Sequence, residues 1–338
     1  MSKCTKLLLL DKNQVESLLK PDDVLAAVSE SFKLHSLGEG RLFPVVREKL
    51  PAGGVFGIKS GDVASQGLLG FKAAGFWAGN RALGGEPHQA TILLFDQETG
   101  RPLCVIDGNI VTTLRTGAAG GLGLLQLARR DSTRLCVFGT GVQAQIQTRF
   151  ALRLLPTLRS IRYASVDGQP DARFEATIKA AIETTIETTM QTAAAACTVS
   201  PVTDRDAAVA ASDIVITATP GAGALFDLDA VKPGTHLNCV GADTAGKREL
   251  PEGLLARVRL FVDDARQARE IGETQWAKET PCTTLGDLLT GKARFDRQAQ
   301  DITVFDLTGI ALQDLTVARL VMQQAQATGV GTRVDWPW

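Results

Sequence analysis

The stretch that decides the fold is RLCVFGTGVQAQIQTRFALRLL, residues 134–155. The apolar run RLCVF is followed directly by the glycine turn GTGVQA, and a stretch of helical character follows the turn. In this G-x-G-x-x-A arrangement, Gly139 permits a tight turn, Gly141 lets the backbone approach a pyrophosphate, and the small Ala144 allows close packing of helix on strand. The sequence therefore predicts a dinucleotide site at the amino terminus of a helix.

Alternation of strands and helices continues after this turn. SIRYASV, DIVITAT, THLNCVG and RLFVDD are compact apolar runs bounded by turn signals, and the Ala/Thr-rich stretch 172–196 is predicted to be a solvated helix with its following turn. Strands separated by helices form βαβ units, so we expect a parallel sheet.

The residues before about 117 follow a different pattern. A helix is predicted over 21–37, with Pro21 and two acidic residues in its first turn and Gly38 at its end. Short strands are predicted around 42–50, 54–60, 68–77, 90–96 and 102–106, and their close succession favours a largely antiparallel sheet.

The C-terminal segment has apolar residues at helical spacing up to Gly329, which predicts a helix that packs back on the N-terminal part. The predicted fold class is therefore α/β, with a Rossmann-type parallel-sheet domain inserted in an α+β domain. We place the inserted domain at 117–307, and the substrate-binding and dimerisation domain at 1–116 and 308–338.

Composition excludes several classes of function. The 338 residues carry 36 Lys and Arg against 37 Asp and Glu, so charge gives no reason to expect a nucleic-acid or membrane partner. The apolar run near the N-terminus is too short for a signal peptide or a membrane span. Three histidines without metal-ligand spacing make a metal site unexpected. The scattered cysteines at 4, 104, 136, 197, 239 and 282 are expected to be reduced, as in a cytoplasmic protein.

The end of the second predicted strand bears on the choice of dinucleotide. Asp167 follows Ala144 by 23 residues, close to where an acid accepts hydrogen bonds from the adenosine ribose. A carboxylate there repels a 2′-phosphate, and no arginine lies beside it to bind one, so NAD(H) is preferred over NADP(H). Asp167 could equally cap the turn before Gly168, and the two roles are compatible.

Several sequence motifs occur together, in the order in which a known family has them: PHQATILLFD, DGNIVTTLRTGAA, GTGVQA, VKPGTHLNCVGADTAGKREL and LTGIALQD. This combination resembles the ornithine cyclodeaminase/mu-crystallin family, from about residue 40 to 325, and within it the iminosuccinate reductase and alanine dehydrogenase-like members. The resemblance implies a homodimer in which the substrate domain pairs between subunits. It also implies NAD(H) or NADP(H) in the inserted domain, and hydride exchange between nicotinamide and the α-carbon of an amino or imino acid.

Carried over position by position, the resemblance implies catalytic roles for Asp243, as acid/base, and for Lys72, the family's substrate lysine. Arg115 matches the arginine that holds the α-carboxylate near the nicotinamide, and Arg47 a second carboxylate-binding arginine. Mu-crystallin-like members have serine where this chain has Asp243, which favours the catalytic branch. The cofactor-contacting positions implied by the resemblance are Thr91, Arg115, Val142, Gln143, Thr219, Val240, Gly241, Ala242, Asp243, Lys247 and Thr308.

Chemistry explains these residue types independently. An α-imino acid needs a bidentate guanidinium for its carboxylate and one proton donor near its nitrogen. A lone lysine or arginine is usually a solvated surface residue. Lys72 lies inside the apolar run GLLGFKAAGFW, where a buried ammonium must be paired or functional, so we predict a site role for it.

One departure from the family bears on the substrate. Members that act on diamino acids have a Glu-Leu-Met stretch whose glutamate receives the distal ammonium, whereas this chain has Gly57 and Lys59 in place of the acid and the methionine. Loss of an acceptor and gain of a cation favour a substrate with a second carboxylate, to which Arg81 and His88 could add donors. The prediction is reduction of iminosuccinate to L-aspartate, with Lys59 binding substrate. The alternative for Lys59 is a solvent-facing position on an exposed strand.

The sequence leaves other functions open. They are an alanine dehydrogenase, a reductase of cyclic imines such as pyrroline or piperideine carboxylate, a cyclodeaminase that recycles NAD, and a non-catalytic binding protein of the mu-crystallin type. Replacement of the family's glutamate by Gly57 argues against the cyclodeaminase, and Asp243 argues against the non-catalytic protein.

Overall fold

The computed structural model describes residues 4–51, 53–189 and 197–337. The chain divides into two compact units. The first unit consists of Met1–Arg115 and Ile310–Trp338, and the second of Thr116–Gly309. No helix among the residues described is long and apolar enough to cross a membrane.

An eight-stranded sheet forms the first unit. Its order is β16-β1-β7-β6-β5-β4-β2, with β3 beside β4. Pairing is antiparallel throughout except between β1 and β7, in agreement with the largely antiparallel sheet predicted. The strands are β1 (Cys4–Leu10), β2 (Gly40–Leu42), β3 (Val46–Lys49), β4 (Val55–Val63), β5 (Leu68–Phe76), β6 (His88–Asp96), β7 (Pro102–Asp107) and β16 (Thr332–Pro337).

Three α-helices lie wholly within the described part of this unit: α1 (Lys12–Leu18), α2 (Pro21–Leu37) and α9 (Ala311–Thr328). Helix α2 has the predicted bounds, because Pro21 is accepted in its first turn and Gly38, at φ +74°, ends it. Helix α9 packs on α2 and across β4, β5 and β6. It therefore covers one face of the sheet, on which Ile92 and Leu94 are buried.

Some strands of this unit were not expected. The apolar run near the N-terminus is β1, which lies inside the sheet between β7 and β16. Such a continuous apolar run is typical of a strand buried on both faces. The strand predicted over 42–50 is instead β2 and β3, because Pro44 between them cannot donate to a ladder. The C-terminal segment forms a strand, β16, after its predicted helix ends.

Helix α3 (Gly108–Leu127) crosses the boundary between the units. It begins nine residues before the change of pattern that the sequence predicts at about 117. The side chain of Asp107 accepts hydrogen bonds from the backbone N–H groups of Asn109 and Ile110, which caps the helix at this earlier point.

The second unit contains an eight-stranded, entirely parallel sheet in the order β10-β9-β8-β11-β12-β15-β13-β14. The strands are β8 (Arg134–Phe138), β9 (Ser160–Ala164), β10 (Thr198–Pro201), β11 (Ile214–Thr217), β12 (His236–Cys239), β13 (Arg259–Val262), β14 (Cys282–Thr284) and β15 (Thr303–Asp306). The helices are α4 (Val142–Leu154), α5 (Ala172–Thr189), α6 (Arg205–Ala210), α7 (Ala265–Ile271) and α8 (Leu285–Thr290).

The strand order of this unit reverses between β8 and β11. Its first five strands lie in the order third, second, first, fourth, fifth, which is that of a dinucleotide-binding sheet. The predicted fold class is confirmed. Of the helix predicted over 172–196, the structure describes α5, and the remaining residues 190–196 lie outside the described residues.

Candidate functional site

A buried ionic cluster lies in the first unit, where β5, α3 and α9 meet. The Nζ atom of Lys72 donates to Oδ1 of Asp314 at 2.8 Å and to Oγ1 of Thr112 at 3.2 Å. The Nε atom of Arg115 donates to the same Oδ1 at 2.9 Å. The side chains are 5% exposed for Lys72, 8% for Arg115 and 0% for Asp314. We call Lys72, Arg115 and Asp314 the charged cluster.

The charged cluster holds two cationic groups and one carboxylate. Burial lowers the pKa of Lys72 to about 7. The negative charge of Asp314 acts to raise this pKa, and the positive charge of Arg115 acts to lower it. Burial acts to raise the pKa of Asp314, but the charges of Arg115 and Lys72 outweigh it and hold that pKa below its ordinary value. The cluster therefore attracts anions, and its lysine exchanges a proton near neutral pH.

Lys59 and Arg47 lie on the same sheet face as Lys72. In the register of β4 and β5, Lys59 is directly opposite Lys72, and Arg47 of β3 is opposite Gly57 of β4. Side chains opposite one another share a face, as do residues two apart in one strand. Both Lys59 and Arg47 are half-buried, and the charge of Lys59 contributes to the lowered pKa of Lys72. A cationic row thus extends from the charged cluster across three strands.

His88 lies on this face as well, opposite Phe76. Its Nδ1 is 3.0 Å from Oδ1 of Asn109, and burial, followed by the charge of Lys72, lowers the pKa of its imidazole. An amide oxygen only accepts, so Nδ1 carries the proton and Nε2 is an acceptor. Arg81 is exposed, and its guanidinium lies 5.9 Å from the centre of the Phe76 ring.

Thr91 is not brought together with the charged cluster. It is exposed, and it pairs with Ala73 of β5, the neighbour of Lys72 in sequence. Because successive side chains of a strand point to opposite faces, Thr91 lies on the other face of the sheet from Lys72.

The glycine turn of the second unit has the shape that a pyrophosphate requires. Gly139 follows β8 with φ +100°, and a Cβ there would lie 2.5 Å from the backbone oxygen of Ala218. Gly141 caps α4 without a side-chain hydrogen bond, and a Cβ there would have no atom within 4 Å. The N–H groups of the first turn of α4 are thus open to an anion. Val142 is 60% exposed beside them, and Oε1 of Gln143 is buried without a partner among the described residues.

Asp167 follows β9 in an exposed turn. Its Oδ1 accepts hydrogen bonds from the Ser165 hydroxyl and the Gln169 N–H, each at 3.0 Å. The Gln169 N–H and then the Ser165 hydroxyl hold the pKa of Asp167 below its ordinary value. Asp167 therefore caps this turn as an ionised carboxylate, and its contact with a ribose remains a prediction.

A buried glutamate joins the ends of β11 and β12. Oε1 of Glu249 accepts from the backbone N–H and the hydroxyl of Thr219, at 2.7 and 2.6 Å. Oε2 accepts from the Gly241 N–H at 2.9 Å and from the Thr217 hydroxyl at 2.7 Å. Glu249 thus determines the position of two predicted cofactor-contacting residues, and burial raises its pKa.

Asp243 lies just beyond this point, next to Gly241 and the buried Ala242. Its Oδ1 is 2.6 Å from Nζ of Lys247, which also donates to the Gly241 backbone oxygen at 3.3 Å. The side chains of this pair are 40% and 32% exposed. The carboxylate is therefore held by a cation at a surface that a ligand can reach.

Thr308 has a different environment. Its hydroxyl donates to Oδ1 of Asp263 at 2.8 Å and accepts from Nε2 of Gln267 at 2.7 Å, inside the second unit. Both hydrogen-bonding functions of this hydroxyl are therefore used within the protein.

The structure brings the predicted residues together in two groups. Arg47, Lys59, Lys72 and Arg115 form the first. The second lies at the carboxyl ends of the parallel strands, which meet at one edge of the sheet; we call this the carboxyl edge. It contains Gly139, Gly141, Val142, Gln143, Asp167, Thr219, Val240, Gly241, Ala242, Asp243, Lys247 and Thr308.

Sequence reasoning missed Asp314 and Glu249. Asp314 had a usable signal, because it is an acid among the buried apolar positions of α9. A charge at such a position must be paired. Glu249 had no such signal in the sequence, because it lies in the polar stretch KREL, which is also typical of a surface turn.

Two curated relatives match nearly the whole chain. Alanine dehydrogenase of Archaeoglobus fulgidus is 31% identical over 336 residues, covering 97% of this chain and 98% of that protein. Iminosuccinate reductase of Paracoccus denitrificans is 31% identical over 337 residues, covering 97% and 100%.

Two solved structures are also similar over nearly the whole chain. An archaeal alanine dehydrogenase dimer with bound NAD has a TM-score of 0.85 and 30% identity, covering 98% of this chain and 99% of that one. The iminosuccinate reductase of Paracoccus denitrificans in complex with NAD+ has a TM-score of 0.84 and 29% identity, with the same coverage. The model of the ornithine cyclodeaminase/mu-crystallin family matches residues 5–329. The predicted membership is confirmed: this chain belongs to the ornithine cyclodeaminase/mu-crystallin family.

Proposed function

We propose that this protein is an NAD(H)-dependent reductase of α-imino acids that converts iminosuccinate to L-aspartate. The observation that carries the proposal is the charged cluster, with Lys59 and Arg47 on the same sheet face. Four cationic side chains and one carboxylate suit a substrate with two carboxylates. Relatives named as an alanine dehydrogenase and an iminosuccinate reductase support the reaction class.

The residues at the carboxyl edge fit a dinucleotide. The open N–H groups of α4 suit the pyrophosphate, and the unpartnered Oε1 of Gln143 suits an amide or hydroxyl donor of the cofactor. Asp167, an ionised acceptor in an exposed turn, suits a ribose diol and repels a 2′-phosphate, which supports NAD(H) over NADP(H). NADH bound there supplies the hydride that the reaction consumes.

The reaction adds a hydride to the imine carbon and a proton to the nitrogen, while the electron pair of the C=N π bond moves to nitrogen. We assign the α-carboxylate to Arg115, whose fork geometry matches it. We assign proton delivery to Asp243 in its carboxylic acid form, and Lys247 stabilises the carboxylate that remains. Lys72, with its pKa near 7, compensates substrate charge and exchanges protons with it.

Substrate choice is assigned to Lys59 and Arg47. Gly57, which lies beside both on this face, provides no carboxylate for a distal ammonium. A distal carboxylate placed there meets two cations instead. This arrangement disfavours ornithine and lysine as substrates.

Steady-state oxidation of NADH tests the proposal. Oxaloacetate with ammonium forms iminosuccinate, and pyruvate with ammonium forms the imine of an alanine dehydrogenase. We expect a higher kcat/KM with oxaloacetate, and a clear preference for pyruvate would contradict the substrate assignment. Ammonia release from a diamino acid without net NADH oxidation would indicate a cyclodeaminase. Cofactor binding without turnover would indicate a binding protein.

A further inference from the structure

Only one of the two carboxylate oxygens of Asp314 accepts hydrogen bonds within the described residues. Its Oδ1 accepts from Lys72 and Arg115, whereas its Oδ2 is buried without a hydrogen-bond partner among the described residues. The two adjacent positive charges keep this carboxylate ionised. A buried charged acceptor without a partner costs free energy, so a donor is expected at Oδ2 when the site is working.

The neighbouring residue, Gln313, has a buried hydrogen-bond donor that lacks an acceptor within the described residues. Oε1 of Gln313 accepts from Nη1 of Arg115 at 3.0 Å, but its Nε2 is a buried donor without a partner within the described part of the chain. Arg115 uses two of its five N–H groups on Asp314 and Gln313. One guanidinium is thus flanked by an unused acceptor and an unused donor.

This pattern is complementary to one chemical unit. In an α-imino or α-amino acid, a nitrogen that donates lies next to a carboxylate that accepts. The carboxylate would accept from Arg115 and from Nε2 of Gln313, and the α-nitrogen would donate to Oδ2 of Asp314. A 2-oxo acid has a carbonyl oxygen in place of the nitrogen, which would face the carboxylate of Asp314 without a hydrogen atom between them.

We propose that Asp314 and Gln313 form a subsite for the nitrogen and carboxylate of the substrate, and that Oδ2 of Asp314 selects imines over the corresponding ketones. The inference rests on the proposed function and deepens it. It explains how a reductase can act on an imine in the presence of the 2-oxo acid from which the imine forms.

The substitution Asp314→Asn tests this directly. Lys72 and Arg115 orient the amide so that its oxygen replaces Oδ1, and its NH₂ group then replaces Oδ2. NADH oxidation is measured with oxaloacetate plus ammonium and with oxaloacetate alone. We expect the imine rate to fall by about 10- to 100-fold, as for loss of a charged hydrogen bond. We expect the ketone rate to fall by a smaller factor than the imine rate, or to rise, because an amide N–H can donate to a carbonyl.

The matched control is Asp213→Asn. Asp213 is also a buried acid, and it accepts from Arg129 and from the Thr133 backbone in the second unit. The control should leave the ratio of imine to ketone rates unchanged. A fall of both rates in the same proportion in Asp314→Asn would mean that Asp314 only positions its neighbours, which would overturn the proposal.

A second measurement uses the wild-type protein and does not depend on the folding of a variant. L-Aspartate and succinate are compared as dead-end inhibitors in the presence of NADH, since they differ at the α-nitrogen. We expect L-aspartate to bind about 10- to 100-fold more tightly. Normal imine reduction with equal binding of the two ligands overturns this inference alone. Absence of NADH oxidation with every 2-oxo acid plus ammonium overturns the proposed function and this inference with it.

Discussion

Asp243 is the residue whose proposed role can be tested with the least structural disturbance. Its partner is Lys247 at a partly exposed edge, so Asp243→Asn removes an ion pair of small stabilising value. We expect kcat to fall by about 10²- to 10⁴-fold, the usual contribution of a general acid. We expect the Kd of NADH, measured by fluorescence titration, to change little.

The control for this prediction is Asp229→Asn. Asp229 is also an exposed acid of the second unit, paired with Arg257 at 3.5 Å. Its replacement should leave kcat unaltered. If Asp243→Asn retained a rate near that of the wild type, Asp243 would not be the proton donor.

Lys59 gives a residue-scale prediction about substrate choice. Its ammonium lies on the face of the charged cluster, so Lys59→Gln should remove a partner of the distal carboxylate. We expect kcat/KM with oxaloacetate and ammonium to fall by about 10- to 100-fold. The value with pyruvate and ammonium should be nearly unchanged, because that imine has no distal carboxylate.

Lys33→Gln, at an exposed position of α2, is the matched control for Lys59→Gln. Steady-state kinetics with both imines should not distinguish it from the wild type. Equal losses with both imines in Lys59→Gln would refute a distal-carboxylate role for Lys59 and indicate a general effect on the charged cluster.

At the scale of elements, local signals predicted the structure where they were strong. Pro21 and Gly38 predicted the bounds of α2, and the glycine turn predicted the strand and helix around it, because these signals act within a few residues. Strand β1 was missed, since its neighbours β7 and β16 are distant in sequence. Pairing over such separations has no local pattern.

In the candidate site, too, contacts between residues distant in sequence were not predicted. Lys72 was predicted to be paired or functional from its apolar surroundings, but its partner Asp314 is 242 residues away. The face of Lys59 was left open by sequence and is determined by its register with Lys72. Residue types indicate the chemistry, whereas partners depend on how the strands and helices pack.

Two buried acids near the end of β15, Asp306 and Glu273, make the stability of the folded protein depend on pH. Oδ1 of Asp306 accepts from the Glu273 N–H and Oδ2 from the Thr274 N–H, while Glu273 accepts from the Glu249 N–H. Burial raises the pKa of Asp306 to about 7 and that of Glu273, which the charge of Asp306 also raises, to about 8. Both folded-state pKa values lie above the unfolded values near 4, so the folded state binds more protons between about pH 4 and 8. This contribution to stability is present in full below about pH 4 and is lost as the pH rises through 8.

We therefore expect Glu273→Gln, which cannot ionise, to lose less stability than the wild type between pH 5.5 and 8.5. Thermal unfolding followed by circular dichroism measures this, and a difference of 1 kcal/mol corresponds to about 1–2 °C in a chain of this size. The contribution of Lys72 has the opposite sign and cancels between the two proteins. Glu270→Gln, on the exposed surface of α7, should retain the wild-type slope. Identical slopes for Glu273→Gln and the wild type would show that Glu273 is not protonated at neutral pH.

At the scale of the whole molecule, the prediction concerns the face of the first unit's sheet opposite to the one on which α9 packs. Helix α9 covers the face of Lys72, while half-buried apolar side chains line the other. A cavity of about 340 Å³ lies on it, and the rings of Phe71 and Phe95 are 5.9 Å apart there. An apolar surface of this kind marks a protein interface. The cavity is lined by Phe43, Ser60, Leu69, Gly70, Phe71, Phe95 and Gly100.

We propose that a second copy of the chain covers this face, as the resemblance to the family implies. The archaeal alanine dehydrogenase of similar fold is a dimer. Light scattering after size exclusion should then give twice the 35.9 kDa of the chain. Phe71→Asp should shift the mass toward the monomer, because a carboxylate in an apolar interface must be desolvated without a partner. Leu83→Asp, at a leucine that is 85% exposed outside the sheet, should remain a dimer. A folded Phe71→Asp that keeps the dimer mass at micromolar concentration would place the interface elsewhere.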